Sequence, residues 1–366
     1  MADPSAVAAH FSFPGRLLSC RELGAGNVND TYLATSEEGR HAFAFILQRI
    51  NTTVFAEPEQ LMRNLRVVGE HLAGKLAGRE HGSWQFPAII PARSGLDFYR
   101  DPEGGFWRAL SFIPDTECFT RPRDSSQAGE AGRALGLFHA LLRDLPVELL
   151  HDTLPDFHVT PCYLREYARV VRAPARDDQS PQAHFCREFI AARQEQAGIL
   201  ENARLLGELR LQPIHGDPKL ANILFSRKNG RAVSLIDLDT VKPGLVHYDI
   251  GDCIRSCCNL AGEESEPEEV SFALASCAAI LQGYLPQVAS FFTDFDYRYL
   301  FAAIRLLPFE LGLRFFTDHL AGDRYFKTRY PGHNLQRARV QFLLCRSIEE
   351  QESEITRLIA ECTGNG

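Results

Sequence analysis

Short apolar runs separated by turn sequences fill the first hundred residues, a pattern typical of β-strands. The predicted strands are Leu17–Leu23, Thr31–Thr35, His41–Arg49, Trp84–Ile90 and Phe106–Ile113. One stretch behaves differently, because behind Pro58 the apolar residues Leu61, Leu65, Val68 and Leu72 recur at helical spacing. This part of the chain is therefore predicted to be a small sheet with one main helix.

From Pro114 onward the apolar residues recur mostly at helical spacing. The predicted helices are Ala128–Leu145, His184–Leu206, Val270–Leu285, Tyr297–Thr317 and Asn334–Cys362. Between residues 211 and 250, short apolar runs and polar clusters interrupt this helical pattern. We therefore predict an α+β fold of two lobes, with a small antiparallel β-rich lobe at 1–112 and a larger, mostly helical lobe at 113–366. A hinge is expected near 111–115, and this outline is that of a protein-kinase-like fold.

Composition narrows the function classes. The 366 residues carry a net charge of −8, which argues against a nucleic-acid partner. The sequence has no targeting segment and no apolar run long enough to span a membrane. Ten scattered cysteines lack zinc-type spacing, so we expect free thiols. We expect a cytoplasmic protein, a monomer or weak homodimer, without a membrane or nucleic-acid partner.

The most informative stretch is Ile214–Phe225, in which Asp217 and Asn222 stand five positions apart on a loop that enters an apolar strand. Phosphoryl transfer needs a carboxylate to accept the proton of the attacking hydroxyl, and oxygen ligands for Mg²⁺. The Asp-x-x-x-x-Asn spacing is that of the kinase catalytic loop. Asp217 is therefore the predicted base and Asn222 a predicted metal ligand. Lys219 can reach the transferred phosphate or be a surface lysine.

A second stretch, Ser234–Asp239, is a short apolar run that ends in two carboxylates. A strand that delivers a carboxylate beside the first loop would complete a metal site. Asp237 is the predicted ligand. Asp239 would point the same way if the strand continued, since residues two apart share a face, and it could then assist or replace Asp237.

Together these motifs and the following Tyr248-Asp249-Ile250-Gly251-Asp252 resemble the aminoglycoside phosphotransferase and choline kinase superfamily. Several further stretches are similar to N-acetylhexosamine 1-kinases, and the resemblance covers about residues 20 to 350. These stretches are Asn27–Tyr32, Ile46–Asn51, Ile236–Val241 with Pro243–Leu245, Glu310–Phe315 and Gly322–Lys327.

The resemblance implies that ATP binds between the lobes. The turn that contains Gly24, Gly26 and Asn27 would cover the phosphates. On the third strand Gln48, with Arg49 next to it, takes the place of the usual phosphate-binding lysine, and which of the two contacts phosphate stays open. The resemblance also implies a neutral Gln48–Asn64 pair in place of the usual lysine–glutamate pair.

The hinge residues Ser111, Phe112 and Ile113 would contact adenine by the same resemblance. Asp217, Arg314 and Tyr325 are the implied contacts of the sugar, although Arg314 could equally be a helix-surface residue. A guanidinium suits neutral hydroxyl and acetamido groups because it donates several fixed hydrogen bonds. Tyr248 and Asp249 are expected to brace the catalytic loop.

We therefore expect an ATP- and Mg²⁺-dependent kinase that phosphorylates the anomeric hydroxyl of N-acetylglucosamine or N-acetylgalactosamine. A kinase of another small alcohol, such as an aminoglycoside, choline, homoserine or a different sugar, is the first alternative. A catalytically inactive nucleotide-binding protein is the second, because the strand lysine is lost.

Overall fold

The computed structural model describes residues 2–23, 28–77 and 84–363. The chain before residue 112 contains a six-stranded antiparallel sheet in the order β1-β2-β3-β6-β4, with β5 paired to β6. Its elements are α1 (Pro4–Ala8), β1 (Arg16–Glu22), β2 (Asp30–Glu38), β3 (His41–Ile50), α2 (Pro58–Leu76), β4 (Ile89–Ile90), β5 (Tyr99–Arg100) and β6 (Phe106–Ser111).

The rest of the described chain is mainly helical, with two small antiparallel ladders. The helices are α3 (Ser125–Leu142), α4 (Thr160–Arg172), α5 (Pro181–Ala191), α6 (Ile199–Leu205), α7 (Val246–Cys258), α8 (Leu274–Val288), α9 (Asp294–Arg298), α10 (Leu300–Leu320), α11 (His333–Glu350) and α12 (Glu352–Thr363). The strands are β7 (Thr116–Glu117), β8 (Gln212–Ile214), β9 (Ile223–Ser226), β10 (Ala232–Leu235) and β11 (Lys242–Gly244). They pair as β10-β9-β7 and β11-β8.

The two faces of the large sheet pack against different cores. On one face Leu47 and Trp107 join α1 in a small apolar cluster. On the other face Ile50 and Leu110 join the buried side of α2 and the first helices of the helical part. Because side chains alternate along a strand, Gln48 and Arg49 must lie on opposite faces. This alternation decides which of them can approach a cleft between sheet and helices.

The predicted α+β architecture is confirmed, and so are the first three strands, the main helix α2 and strand β6. The boundary at 112/113 stays a prediction. All ten cysteines are free. Within the described ranges, no helix is both long enough and apolar enough to cross a membrane.

Four element predictions were wrong in extent. The strand over 84–90 is reduced to β4, because Gln85 donates its N–H to Val233 of the helical part and Pro87 has no N–H to give. The helix over 184–206 is two helices, since a tight turn at Gln194–Gly198 separates α5 from α6. The last two predicted helices are likewise divided, at Tyr299 and at Gln351. Helices α1, α4 and α7 were not predicted.

Candidate active site

The catalytic-loop candidate begins where β8 ends. Asp249, in the first turn of α7, accepts hydrogen bonds from the backbone N–H groups of His215 (2.6 Å) and Gly216 (2.8 Å). Nε2 of His139, on α3, lies 2.9 Å from Asp249 Oδ2. Gly216 has a φ of 84°, and a Cβ atom there would lie 2.7 Å from the carbonyl oxygen of Thr240. Asp249 thus braces the loop, as predicted, and the loop requires glycine at position 216.

Asp217 and Asn222 come together across the turn that follows. Nδ2 of Asn222 donates to the backbone oxygen of Asp217 (2.8 Å) and lies 3.2 Å from its Oδ2. Nζ of Lys219 lies 2.5 Å from the same Oδ2. Burial alone would lower the pKa of the Lys219 ammonium, but the charges of Asp217 and Asp237 outweigh it and raise the pKa overall. Lys219 is therefore a persistent cation beside the predicted base.

Asp237 reaches the same place from the end of β10. The N–H of Ile236 donates to the carbonyl oxygen of Asn222 at 2.9 Å, which joins the two segments directly. Asp237 has left-handed backbone angles, φ 63° and ψ 54°, and its side chain is exposed. Although solvent reaches this side chain, the protein atoms around it partly desolvate the carboxylate, and this effect, followed by the charges of Asp239 and Asp217, raises the pKa of Asp237 to about 7.

Asp239 points elsewhere. The predicted shared face with Asp237 required the strand to continue, whereas the chain turns at Leu238–Thr240 after the left-handed residue. The Asp239 side chain is buried, and Nδ2 of Asn29 donates to its Oδ2 at 2.6 Å. Nη2 of Arg108 lies 2.5 Å from its Oδ1, a charge contact without hydrogen-bond alignment. Asp239 thus faces the sheet, not the exposed side chain of Asp237.

The contacts of Gln48 on the sheet differ from the prediction. Gln48 lies opposite Arg108 in the β3–β6 register, and its Oε1 accepts from Arg108 Nε (2.9 Å) and Nη2 (2.7 Å). Asn64 of α2 bonds instead to the backbone of His151 and to the carbonyl oxygen of Val241. The predicted Gln48–Asn64 pair is therefore wrong, because each side-chain amide forms its hydrogen bonds with residues of other segments.

Arg49 lies on the opposite face of the sheet. It pairs in register with Trp107, and its guanidinium lies 4.0 Å from Asp30. Since Leu47 and Trp107 pack on the α1 side, Arg49 faces away from Asp239 and Arg108. Between the two candidates left open by the sequence, Gln48 is the one on the side of the catalytic segments.

The hinge candidates follow directly after β6. The N–H of Ser111 donates to the carbonyl oxygen of Ala88, and Ser111 Oγ accepts from the N–H of Ala88. Phe112 is partly exposed, whereas Ile113 is buried and its carbonyl oxygen accepts from Thr116 Oγ1. The adenine contacts stay a prediction. The predicted phosphate-covering residues Gly24, Gly26 and Asn27 lie outside the described residues.

Arg314 lies among aromatic rings. Its guanidinium carbon is 5.2 Å from the ring centre of Phe157, 5.0 Å from Tyr163, 6.0 Å from Tyr325 and 5.5 Å from Phe326. No hydrogen bond or ion pair joins this guanidinium to another residue of the described ranges. The structure thus brings the two predicted sugar contacts, Arg314 and Tyr325, together, and adds three rings that the sequence did not reveal.

His158 connects this aromatic group to the catalytic loop. Its Nε2 lies 2.7 Å from the carbonyl oxygen of Gly216, and its Nδ1 lies 2.9 Å from Oε1 of Glu310 on α10. Both partners are acceptors when Glu310 is ionised, and both ring nitrogens can donate to them at once only in the protonated form of the imidazole. Burial lowers the pKa of His158, but the carboxylate of Glu310 more than compensates and the pKa is raised. Thr160 Oγ1 also donates to Glu310, at 2.7 Å.

Sequence reasoning gave no role to Arg108, Phe157, His158 or Tyr163, and it covered Asn29 and Glu310 only as members of stretches similar to N-acetylhexosamine 1-kinases. Arg108 gave one signal, a charge within the apolar run Phe106–Leu110. The contacts of the others could not be predicted, because their partners are more than a hundred positions away along the chain or lie in a segment without periodicity.

A metal would have to be held together with the phosphates of a nucleotide. In the part of the chain that is described, no three His, Cys, Asp or Glu side chains are placed to hold a metal ion. Mg²⁺ commonly takes one or two protein oxygens and completes its shell with phosphate and water. The donors Asp237 and Asn222 fit this requirement, and the crowded carboxylates that raise the pKa of Asp237 favour a cation there.

Comparison with known proteins identifies the family of the chain. A family model described as the phosphotransferase enzyme family, APH, matches residues 19–284. The chain belongs to this family. An aminoglycoside phosphotransferase structure from Alicyclobacillus acidocaldarius is 14% identical, with a TM-score of 0.65, and the match covers 99% of this chain and 97% of that chain.

Two further structures share the fold. A choline kinase from Cryptosporidium parvum is 15% identical with a TM-score of 0.57, and the match covers 94% of this chain and 93% of that one. A microcompartment-associated aminopropanol kinase is 16% identical with a TM-score of 0.55, and the match covers 96% and 97%. The predicted protein-kinase-like fold is thereby confirmed.

Proposed function

We propose that this protein transfers the γ-phosphoryl group of ATP to a sugar hydroxyl, namely the anomeric hydroxyl of N-acetylglucosamine or N-acetylgalactosamine. In this proposal the nucleotide lies between the sheet and the helical part. Ser111, Phe112 and Ile113 contact adenine, and Gly24, Gly26 and Asn27 cover the phosphates.

The convergence of Asp217, Asn222 and Asp237 carries the proposal. Phosphoryl transfer requires a base at the acceptor hydroxyl and oxygen ligands beside it. The amide of Asn222 lies 3.2 Å from the Asp217 carboxylate, and a backbone bond of 2.9 Å from Ile236 fixes Asp237 next to Asn222. In a pseudokinase at least one of these groups is usually missing.

Each group then has a defined task. Asp217 orients the acceptor hydroxyl and accepts its proton, and an anomeric hydroxyl suits a carboxylate base because it is more acidic than an ordinary alcohol. Lys219, already paired with Asp217, stabilises negative charge on the transferred group. Asn222 and Asp237 would hold Mg²⁺, which neutralises phosphate charge when bound.

The environment of Arg314 supports a neutral acceptor. Aromatic rings in this arrangement would attract an ammonium group, but the guanidinium of Arg314 already occupies them. Its donors have no acceptor among the described residues, so sugar hydroxyls and an acetamido carbonyl are suitable partners. A cationic alcohol such as choline would meet like charge at this position.

An ADP-release assay with ATP and Mg²⁺ tests the proposal. The panel contains N-acetylglucosamine, N-acetylgalactosamine, glucose, galactose, choline, homoserine and kanamycin. We expect turnover with an acetamido sugar. Turnover with a basic alcohol alone would assign another acceptor to the same mechanism. Nucleotide binding without any turnover would favour an acceptor outside the panel first and the inactive alternative second.

A further inference from the structure

Asp239 is the one carboxylate of the catalytic segments that has no role in the proposed reaction. Side chains from the sheet nevertheless hold it on two sides. It is 3% exposed, with Asn29 donating to one oxygen and Arg108 in contact with the other. Burial of a carboxylate costs several kcal/mol unless it is paired and hydrogen-bonded. Such an arrangement therefore fixes the position of Asp239 relative to the sheet.

The partners of Asp239 are themselves held in place. Oδ1 of Asn29 accepts from the N–H of Asn51 at 2.9 Å, which fixes the amide that donates to Asp239. Arg108 is held by Gln48 across the β3–β6 pair, and Gln48 is held by Thr31 Oγ1 at 3.1 Å. Asn29 and Arg108 thus hold the Asp239 carboxylate in place, and we call this pair of residues the Asp239 anchor.

What the anchor holds is a turn in an uncommon conformation. Asp237, two residues before Asp239, has left-handed backbone angles, which a non-glycine residue keeps only where its surroundings determine them. On the other side of Asp237, His215 Nε2 donates to the carbonyl oxygen of Ile236 at 3.0 Å. The catalytic loop therefore holds the turn from one side and the sheet holds it from the other.

We propose that Arg108 and Asn29 are positioning residues, which act through Asp239 to hold Asp237 where it can bind Mg²⁺. In other kinases a lysine of the third strand, paired with a glutamate, couples the sheet to the nucleotide site. Here Gln48 stands in that place, and the positive charge lies on the neighbouring strand, at Arg108. The inference rests on the proposed function, because it takes Asp237 as the metal ligand.

Calorimetry with a non-hydrolysable ATP analogue separates positioning of the metal ligand from contact with the nucleotide. Binding is measured once with Mg²⁺ and once with EDTA, without any acceptor sugar. In the wild-type protein we expect Mg²⁺ to tighten binding by about tenfold, since two protein oxygens join the shell of the ion. If the wild-type protein shows no such gain, the metal site of the proposed function fails, independently of the anchor.

Asn29→Ala and Arg108→Met remove the two halves of the anchor. We expect both variants to bind the analogue in EDTA within about twofold of wild type and to lose most of the Mg²⁺-dependent gain. Arg108→Lys keeps the charge and should restore part of the gain. Arg193→Met is the control, because it breaks a partly buried ion pair with Glu349, which involves no residue of either motif or of the anchor, and should keep the full gain.

Each result decides the inference. A full Mg²⁺ gain in folded Asn29→Ala and Arg108→Met would overturn it. Weaker binding in EDTA as well would also overturn it, because Arg108 would then act on the phosphates directly. Should Arg108→Met unfold, as loss of one partner of a buried pair can cause, Asn29→Ala alone decides, since it removes no charge.

Discussion

Nε2 of His158 lies 2.7 Å from the carbonyl oxygen of Gly216, the residue directly before the predicted base Asp217. Through Nδ1, the same ring contacts Glu310 on α10, one helical turn before Arg314. Through its two ring nitrogens, His158 therefore connects the loop that carries the predicted base with the helix that carries the predicted acceptor contact. In the proposed function, the geometry between base and acceptor depends on this bridge.

His158→Gln should destabilise the protein in a pH-dependent way. The pKa of His158 is raised in the folded state, so its contribution is complete below the unfolded value of about 6.5 and is lost as the pH rises through the folded-state pKa. Near pH 6 we expect the substitution to lower the free energy of unfolding by about 3 kcal/mol, because Glu310 loses its partner. Near pH 9 the difference should be smaller.

Urea unfolding of both proteins at the two pH values measures this difference. His184→Gln serves as the control, since His184 forms an exposed pair with Glu188 and should change the free energy of unfolding by less than about 0.5 kcal/mol. An equal loss for His158→Gln at both pH values would contradict the assignment of a protonated ring.

Gly216→Ala should disrupt the catalytic loop. The φ of 84° and the approach of a Cβ atom to 2.7 Å from the Thr240 carbonyl oxygen both oppose a side chain. We expect a loss of activity of at least about tenfold together with destabilisation of about 2 kcal/mol or more. Gly230→Ala provides a matched comparison, because its φ of 70° is also positive but no atom lies within 4 Å of the Cβ position. An equal effect of both substitutions on activity would argue against a tight loop.

Asp237 should make the Mg²⁺ requirement depend on pH. Its pKa is raised to about 7, so the carboxylate form, which binds a cation, predominates above that pH and is depleted below it. We expect the Mg²⁺ concentration for half-maximal activity, at constant MgATP, to be higher near pH 6 than near pH 8. Kinetic titration of the wild-type enzyme and of Asp237→Asn checks this. The variant should need more Mg²⁺ at both values, and a requirement independent of pH in the wild type would count against Asp237 as ligand.

Arg314→Gln should weaken acceptor binding more than it slows the chemistry. The substitution removes a charged donor that makes no hydrogen bond or ion pair in the described chain, so KM for the acceptor should rise about tenfold with little change in KM for ATP. Arg305→Gln, on the same helix, is the control and should leave both constants unchanged. A rise in KM for ATP alone would place Arg314 at the nucleotide instead.

Much of this site could be predicted from sequence because its central residues are close together along the chain. Asp217 and Asn222 are five positions apart, and the segment that carries Asp237 follows as a neighbouring strand. Local periodicity likewise identified the strands β1 to β3 and the helix α2. Short-range patterns of this kind identify an element as long as tertiary contacts do not override them, as the bond from Gln85 to Val233 does in the segment 84–90.

The partners that hold the site could not be predicted in the same way. The bond between Asn29 and Asp239 spans 210 positions, and that between His158 and Glu310 spans 152. The predicted Gln48–Asn64 pair was wrong because two neutral amides lack the charge attraction that joins a lysine to a glutamate. Arg108 then provides the charge from another strand, which becomes visible only when the β3–β6 register is known.

Product analysis by phosphorus NMR tests the central claim most directly. Wild-type protein and Asp217→Asn are each incubated with ATP, Mg²⁺ and the acetamido sugars, and the phosphorus resonances of the products are assigned. We predict a sugar 1-phosphate from the wild-type protein and a rate lower by about a thousandfold in the variant, with binding of ATP retained. A phosphate on a different hydroxyl, or an undiminished rate in Asp217→Asn, would contradict the account.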